Sequence, residues 1–261
     1  MMKNYFSKIF ILSLTVIGLN SCELFSYDNY DGPDASINGV IVDQEGNPIQ
    51  VEHGGGARIK MLDYGYSENP QEFYLNVKDD GSFVNNKIFA STYDIVAEGP
   101  FVPLIQVDEE SNIIEDNSLK GVTEKDFKDI VFKVEPYLLL DWVGEPEYDE
   151  ENNTIKVRFT MKRGTSNTKY IKPISDVYLF INTVQYVGNS NFDKFCSKQI
   201  KGDDANNMLD KENIIISNND GVHELEKGRP YYIRVGARTN LTSVWGGTNY
   251  NYTTVKKIVI P

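Results

Sequence analysis

The sequence predicts an all-β protein built as two β-sandwich domains in series, and three observations carry that prediction. Short apolar runs recur at intervals of roughly ten residues, broken by Gly, Asn, Asp and Pro, the punctuation of antiparallel strands. Several runs alternate apolar and polar residues, a period of two that suits a strand with one buried face. The 16 Tyr and 13 Phe bring aromatics to 12% of 261 residues, and flat side chains suit pleated, half-buried surfaces.

The chain opens with a basic stretch containing Lys3 and Lys8, an apolar run Ile9–Leu19, and then Asn20-Ser21-Cys22. This is the pattern of a secretory signal peptide over residues 1–21, whose apolar run is too short to span a membrane. The Leu19-Asn20-Ser21-Cys22 end resembles a relaxed bacterial lipobox. That resemblance implies acylation of Cys22, which makes Cys22 the predicted lipidation site and the lipid the membrane anchor. Cys196 is the only other cysteine, so no intrachain disulfide is expected. Residues 22–36 are polar, rich in turn formers and without period, a flexible tether.

The first sandwich is expected over residues 37–135. Ile37–Val42 gives a strand closed by the turn Asp43-Gln44-Glu45-Gly46-Asn47-Pro48. Ala57, Ile59 and Met61 share one face of the next strand. Phe73–Val77 alternates, Lys78–Ser82 is a hairpin turn before Phe83, and the run Ile88–Ala97 leads to Gly99-Pro100. Residues 108–129 are acidic and turn-rich, and are expected to form a long loop. Ile130–Val134 adds one more strand, and Glu135-Pro136 marks the boundary because Pro lacks a ladder donor.

The second sandwich is expected over residues 136–261. Leu138–Val143 opens it. Ile155, Val157, Phe159 and Met161 point inward against Lys156, Arg158 and Thr160, whereas Val177–Ile181 is apolar on both faces and should be covered. Tyr231, Ile233, Val235 and Ala237 alternate with Tyr232, Arg234, Gly236 and Arg238. Val255–Ile260 is the last strand, and little helix is expected anywhere.

Two stretches resemble known domains. "GVIVDQEGNPIQ", with "VKDDGSF" and "STYDIVAEG" after it, resembles the carboxypeptidase-regulatory-like, transthyretin-like β-sandwich over about residues 36–107. "GRPYYIRVGART" is similar to the penultimate strand of fibronectin III and immunoglobulin-like sandwiches. With the lipobox and tether, the whole resembles a family of two-domain Bacteroidota lipoproteins associated with starch-utilisation-type glycan uptake systems. The resemblance implies an outer-membrane location, and Glu23 directly after Cys22 favours the cell surface over the periplasmic face. It also implies two partners, a polysaccharide and a TonB-dependent transporter with its glycan-capture lipoprotein.

Charge and motifs narrow the chemistry. The formal charge of −12 repels nucleic acid, which is not expected as a partner. His53-Gly54-Gly55-Gly56 has the composition of a lipase oxyanion hole, but the sequence holds no Gly-x-Ser-x-Gly elbow and no α/β alternation to present one. Those glycines are expected to form a bulge or wide turn. His223 is the only other histidine and is expected to start a strand. Two distant histidines and a lone thiol do not make a zinc site. Asp79-Asp80-Gly81-Ser82 and Asn218-Asn219-Asp220-Gly221 read as turns, lacking the EF-hand spacing. No enzyme activity, metal or cofactor is therefore expected.

Binding remains. Sugar recognition in a sandwich uses a flat aromatic in a loop, with amides and acids for the hydroxyls. Trp245 with Tyr250 and Tyr252 is the first candidate group, and Tyr64 with Tyr66 the second; Trp142 is expected to be mostly core. The expected function is a non-enzymatic, lipid-anchored accessory protein that binds polysaccharide or docks to the transporter complex. The alternative is a structural or adhesive surface component whose sandwiches act as spacers.

Overall fold

The computed structural model describes residues 32–65, 67–123 and 125–261. The signal peptide, Cys22, most of the tether and Tyr66 lie outside the described residues. No helix among the described residues is long and apolar enough to cross a membrane.

Two sheets form the first domain. One has β1 (Ala35–Val42) between β4 (Ser82–Ile88), antiparallel to it, and β9 (Asp126–Lys133), parallel to it. The other runs β3 (Gln71–Asn76), β2 (Arg58–Asp63), β5 (Tyr93–Glu98), β8 (Leu119–Val122). The alternation seen in the sequence sets what lies between them: Ile37, Ile41, Ile59, Met61 and Ile95 are fully buried, with Phe83, Phe127 and Phe132 beside them. Asp43 closes the first turn as expected, its Oδ1 accepting from the backbone N–H of Glu45 and Asn47 at 2.9 and 2.8 Å.

The reading of residues 108–129 as a long loop is corrected. β6 (Ile105–Val107) and β7 (Ile113–Asp116) pair as a separate hairpin, β8 is an edge strand, and β9 already begins at Asp126. Every residue of β7 and nearly every residue of β8 is exposed, so no buried face imposes an apolar alternation on them. The run Ile88–Ala97 is likewise interrupted, with β4 ending at Ile88 and β5 starting at Tyr93.

In the second domain, one sheet has β12 (Thr154–Arg163) paired with β10 (Leu138–Trp142), β11 (Glu147–Asp149) and β15 (Lys211–Ile216). The facing sheet has β14 (Lys198–Lys201), β13 (Ile174–Asn182) and β16 (Pro230–Thr239), with β17 (Asn251–Tyr252) and β18 (Lys256–Val259) both pairing β16. Ile155, Val157, Phe159 and Met161 meet Val177, Leu179, Ile233 and Val235 in the core. Helix among the described residues is confined to a 3-10 turn, Thr168–Tyr170, and the five-residue α1 (Gly202–Asn206). His223 lies in a bend after β15 and starts no strand; its backbone N–H is bonded to Asp220 Oδ1.

The alternation in β16 misleads at Arg234. Arg234 belongs to the face opposite the core, yet it is 1% exposed. That face is covered by a second apolar cluster, Phe180, Val187, Tyr250 and Tyr252, and by the first domain. Gly236 makes room for it, since a Cβ there would lie 2.8–2.9 Å from the rings of Tyr252 and Phe180.

Candidate functional site

The His53–Gly56 run belongs to the junction between the domains. Gly54 takes φ +72, and a Cβ on Gly56 would sit 2.2 Å from the Glu52 backbone nitrogen, so the tight turn requires glycine at both places. The turn presents Glu52 to the second domain. Its carboxylate accepts from the backbone N–H groups of Asn189 and Ser190, each at 2.9 Å, and from the Tyr252 hydroxyl. In the other direction, the Arg234 guanidinium donates to the carbonyls of Val51 (2.8 Å) and Asp79 (3.1 Å) in the first domain. It also reaches Thr253 O at 2.8 Å and lies over the Tyr252 ring at 4.3 Å. The N–H groups of Gly54 and Gly56 are bonded to the carbonyls of Val77 and Glu52, which leaves neither amide free to hold an oxyanion.

Tyr252 serves this junction, and Tyr250 packs beside it against Phe180 with its hydroxyl donated to Asp176. Each is 3% exposed, and burial, reinforced by Asp176 and Glu52 respectively, pushes both phenols well above their ordinary range. Their selection as sugar platforms is therefore corrected, because neither ring has a face open to solvent. Trp142 is half-buried against the core, its indole N–H bonded to Thr254 O at 2.8 Å.

A cleft of about 360 Å³ opens where the outward face of the β3-β2-β5-β8 sheet meets the loop after β16. Leu62 and Val96 are among its apolar lining, Lys60, Asp94, Glu98 and Lys120 among its charged lining, and Leu241, Thr242 and Val244 of the second domain close it. Period-two geometry puts Lys60 and Leu62 of β2 on the same outward sheet face as Asp94, Val96 and Glu98 of β5, with Arg58 next along that face.

Aromatic rings flank this face. Arg58 lies over Tyr74 at 3.8 Å and over Trp245 at 4.6 Å, so one guanidinium joins a β3 ring to the loop of the other domain. Glu98 holds Arg58 in place through Nε at 2.6 Å. Tyr74, 42% exposed, donates its hydroxyl to Glu72 at 2.6 Å, which raises its pKa. Tyr64, 39% exposed, is bonded to Asp94 at 3.2 Å; desolvation, then the Asp94 charge, hold its pKa up. Lys60 pairs with Glu72 at 2.6 Å, and Lys120 reaches Asp116 at 3.1 Å and Asp94 at 3.3 Å. Burial opposes the Lys120 charge, but the two carboxylates outweigh it and raise its pKa.

Of the predicted site residues, then, Trp245 and Tyr64 adjoin one cleft, Tyr252 lies in the junction, and Tyr250 is buried beside Tyr252 in the second domain. Sequence reasoning missed Tyr74, Arg58 and Asp94. The outward positions of Phe73–Val77 and Ala57–Leu62 were legible as exposed, and an aromatic on an exposed strand face is the signal that could have marked Tyr74. Rings and acceptors arranged in this way suit the apolar face and hydroxyls of a sugar. Among the described residues, no group of three or more His, Cys, Asp or Glu side chains could hold a metal ion.

Family models match two consecutive segments. Residues 35–128 match "Protein of unknown function (DUF3823) N-terminal domain", and residues 142–257 match "Domain of unknown function (DUF3823_C)". A DUF3823 family protein from Bacteroides uniformis is 25% identical, with 88% of this chain and 100% of that chain covered and a TM-score of 0.76. A second B. uniformis protein, named "putative carbohydrate binding protein", is 24% identical over 88% and 100% of the two chains, with a TM-score of 0.66. A DUF3823 family protein from Parabacteroides merdae shares the fold at 17% identity, covered over 87% and 100%, with a TM-score of 0.60. No curated protein matches the chain.

Proposed function

The chain belongs to the DUF3823 family of two-domain proteins, and we propose that it binds polysaccharide without catalysis, as a lipid-anchored accessory of an outer-membrane glycan uptake system. The observation that carries the binding half is the cleft beside Tyr74, Arg58 and Trp245, a meeting of one exposed ring, one half-buried ring and polar groups built by both domains. The carbohydrate-binding name of one solved relative supports the same ligand class. The lipobox resemblance at Cys22 supports the anchor, and the resemblance to lipoproteins of starch-utilisation-type systems supports docking to a transporter complex.

Isothermal titration against soluble polysaccharides tests the binding half. Binding to at least one glycan is expected, weakened about tenfold or more by Trp245→Ala, the equivalent of about 1.4 kcal/mol. Binding that is indifferent to Trp245→Ala and to Tyr74→Ala would place the ligand elsewhere. Fractionation of cells expressing Cys22→Ser tests the anchor, with release from the membrane fraction expected.

A further inference from the structure

Both cations that line the cleft, Lys60 and Lys120, and Arg58 beside it are already matched by carboxylates of the protein. Arg58 is held by Glu98 at 2.6 Å, Lys60 by Glu72 at 2.6 Å, and Lys120 by Asp116 and Asp94 at 3.1 and 3.3 Å. Three cations thus face four carboxylates. Lys169, close to the β6 end, donates to the Val107 carbonyl at 2.9 Å. A glycan carboxylate or sulfate could pair with Arg58, Lys60 or Lys120 only by taking that cation from its present partner. Glu98 shows why that is costly: its side chain is 15% exposed, and losing Arg58 would leave a carboxylate with little access to water. The formal charge of −12 on the chain opposes a polyanion at longer range as well. The same carboxylates keep lone pairs that can accept from sugar hydroxyls.

Resting on the carbohydrate-binding reading above, we infer that the cleft takes an uncharged polysaccharide and rejects chains bearing uronic acid or sulfate. The neutral sugar supplies hydroxyls to carboxylates held in place by Arg58, Lys60 and Lys120, and an apolar ring face to Tyr74 or Trp245. Specificity comes from cations that are neutralised in advance, and not from steric exclusion.

The purified protein should be titrated with soluble starch, galactomannan and arabinoxylan, and with polygalacturonate, alginate and chondroitin sulfate, each at 20 and 150 mM salt. Expected is binding to a neutral chain that changes less than about twofold with salt and is lost in both Trp245→Ala and Tyr74→Ala. Circular dichroism melting establishes that each variant is folded, and two variants guard against one that is not. Glu98→Gln, which frees Arg58, should give polygalacturonate binding that the parent lacks. An acidic glycan that binds the parent protein and is lost in Trp245→Ala would overturn the inference while leaving the carbohydrate-binding reading intact. No binding by any of the six chains to the folded protein would overturn both.

Discussion

Arg234→Met removes the most deeply buried charge among the described residues while filling the space of its stem. The guanidinium donates to three backbone carbonyls, Thr253, Val51 and Asp79, and to Gln50 Oε1 at 3.3 Å. Methionine fills a similar volume but donates nothing, so the Thr253 and Val51 carbonyls lose this donor in a site with little access to water, while Asp79 O keeps the Val51 N–H at 3.2 Å. Each buried group left unsatisfied costs about 1–3 kcal/mol. Relief from desolvating the arginine offsets part of this, because burial disfavours its charged form, as its lowered pKa records. Two carbonyls left without a donor amount to about 2–6 kcal/mol, and we take about 4. For a chain of this size that is a fall in Tm of roughly 8–16 °C. The assay is thermal and urea unfolding followed by both Trp fluorescence and circular dichroism. Arg234→Lys should recover little of the loss, since one ammonium cannot reproduce the fork that bridges Val51 and Thr253. A loss below about 1 kcal/mol for Arg234→Met would refute the reasoning, because it would mean that the carbonyls find other donors.

Three further outcomes follow from the structure. Gly56→Ala should destabilise by about 1–3 kcal/mol in urea, since its Cβ would meet the Glu52 backbone, whereas Gly55→Ala, with open space around it, should be near neutral; equal midpoints for the two would contradict this. Cys196 is 4% exposed and burial pushes its thiol up to about 12, so Ellman's reagent should label it only on unfolding, and rapid labelling of the native protein would count against the packing. Asp220 is held down to about 2, first by the His223 backbone N–H, then by the His223 side chain and the Val222 N–H. A depressed carboxyl contributes stability above its ordinary pKa of 3.8 that is lost as pH falls toward 2. Asp220→Asn should therefore flatten the dependence of the urea midpoint between pH 4 and pH 2, and an unchanged slope would contradict the assignment.

What could be read in the residues was largely the inner face of each strand. Ala57, Ile59 and Met61 point inward, as do Ile155, Val157, Phe159 and Met161, because a period of two with one buried face admits a single register. Ile113–Asp116 and Leu119–Val122 could not be read as strands, since both their faces meet solvent and pairing there rests on backbone groups that every residue carries. Tyr64 was legible as an exposed ring, and the half-buried Trp245 as a loop tryptophan.

The sequence by itself determined the all-β class and the inner core, through local alternation and turn chemistry that act over a few residues. Only the tertiary structure decided what covers the outer faces. Arg234 and Tyr252 look like surface positions until Val51, Glu52 and Asp79, more than 150 residues away, close over them. Tyr74 looks like a lone exposed ring until Arg58 ties it to Trp245. The physical reason is the same in both cases: alternation records that a strand has two faces, whereas what meets the second face depends on the docking of a separate domain, which leaves no period in the chain.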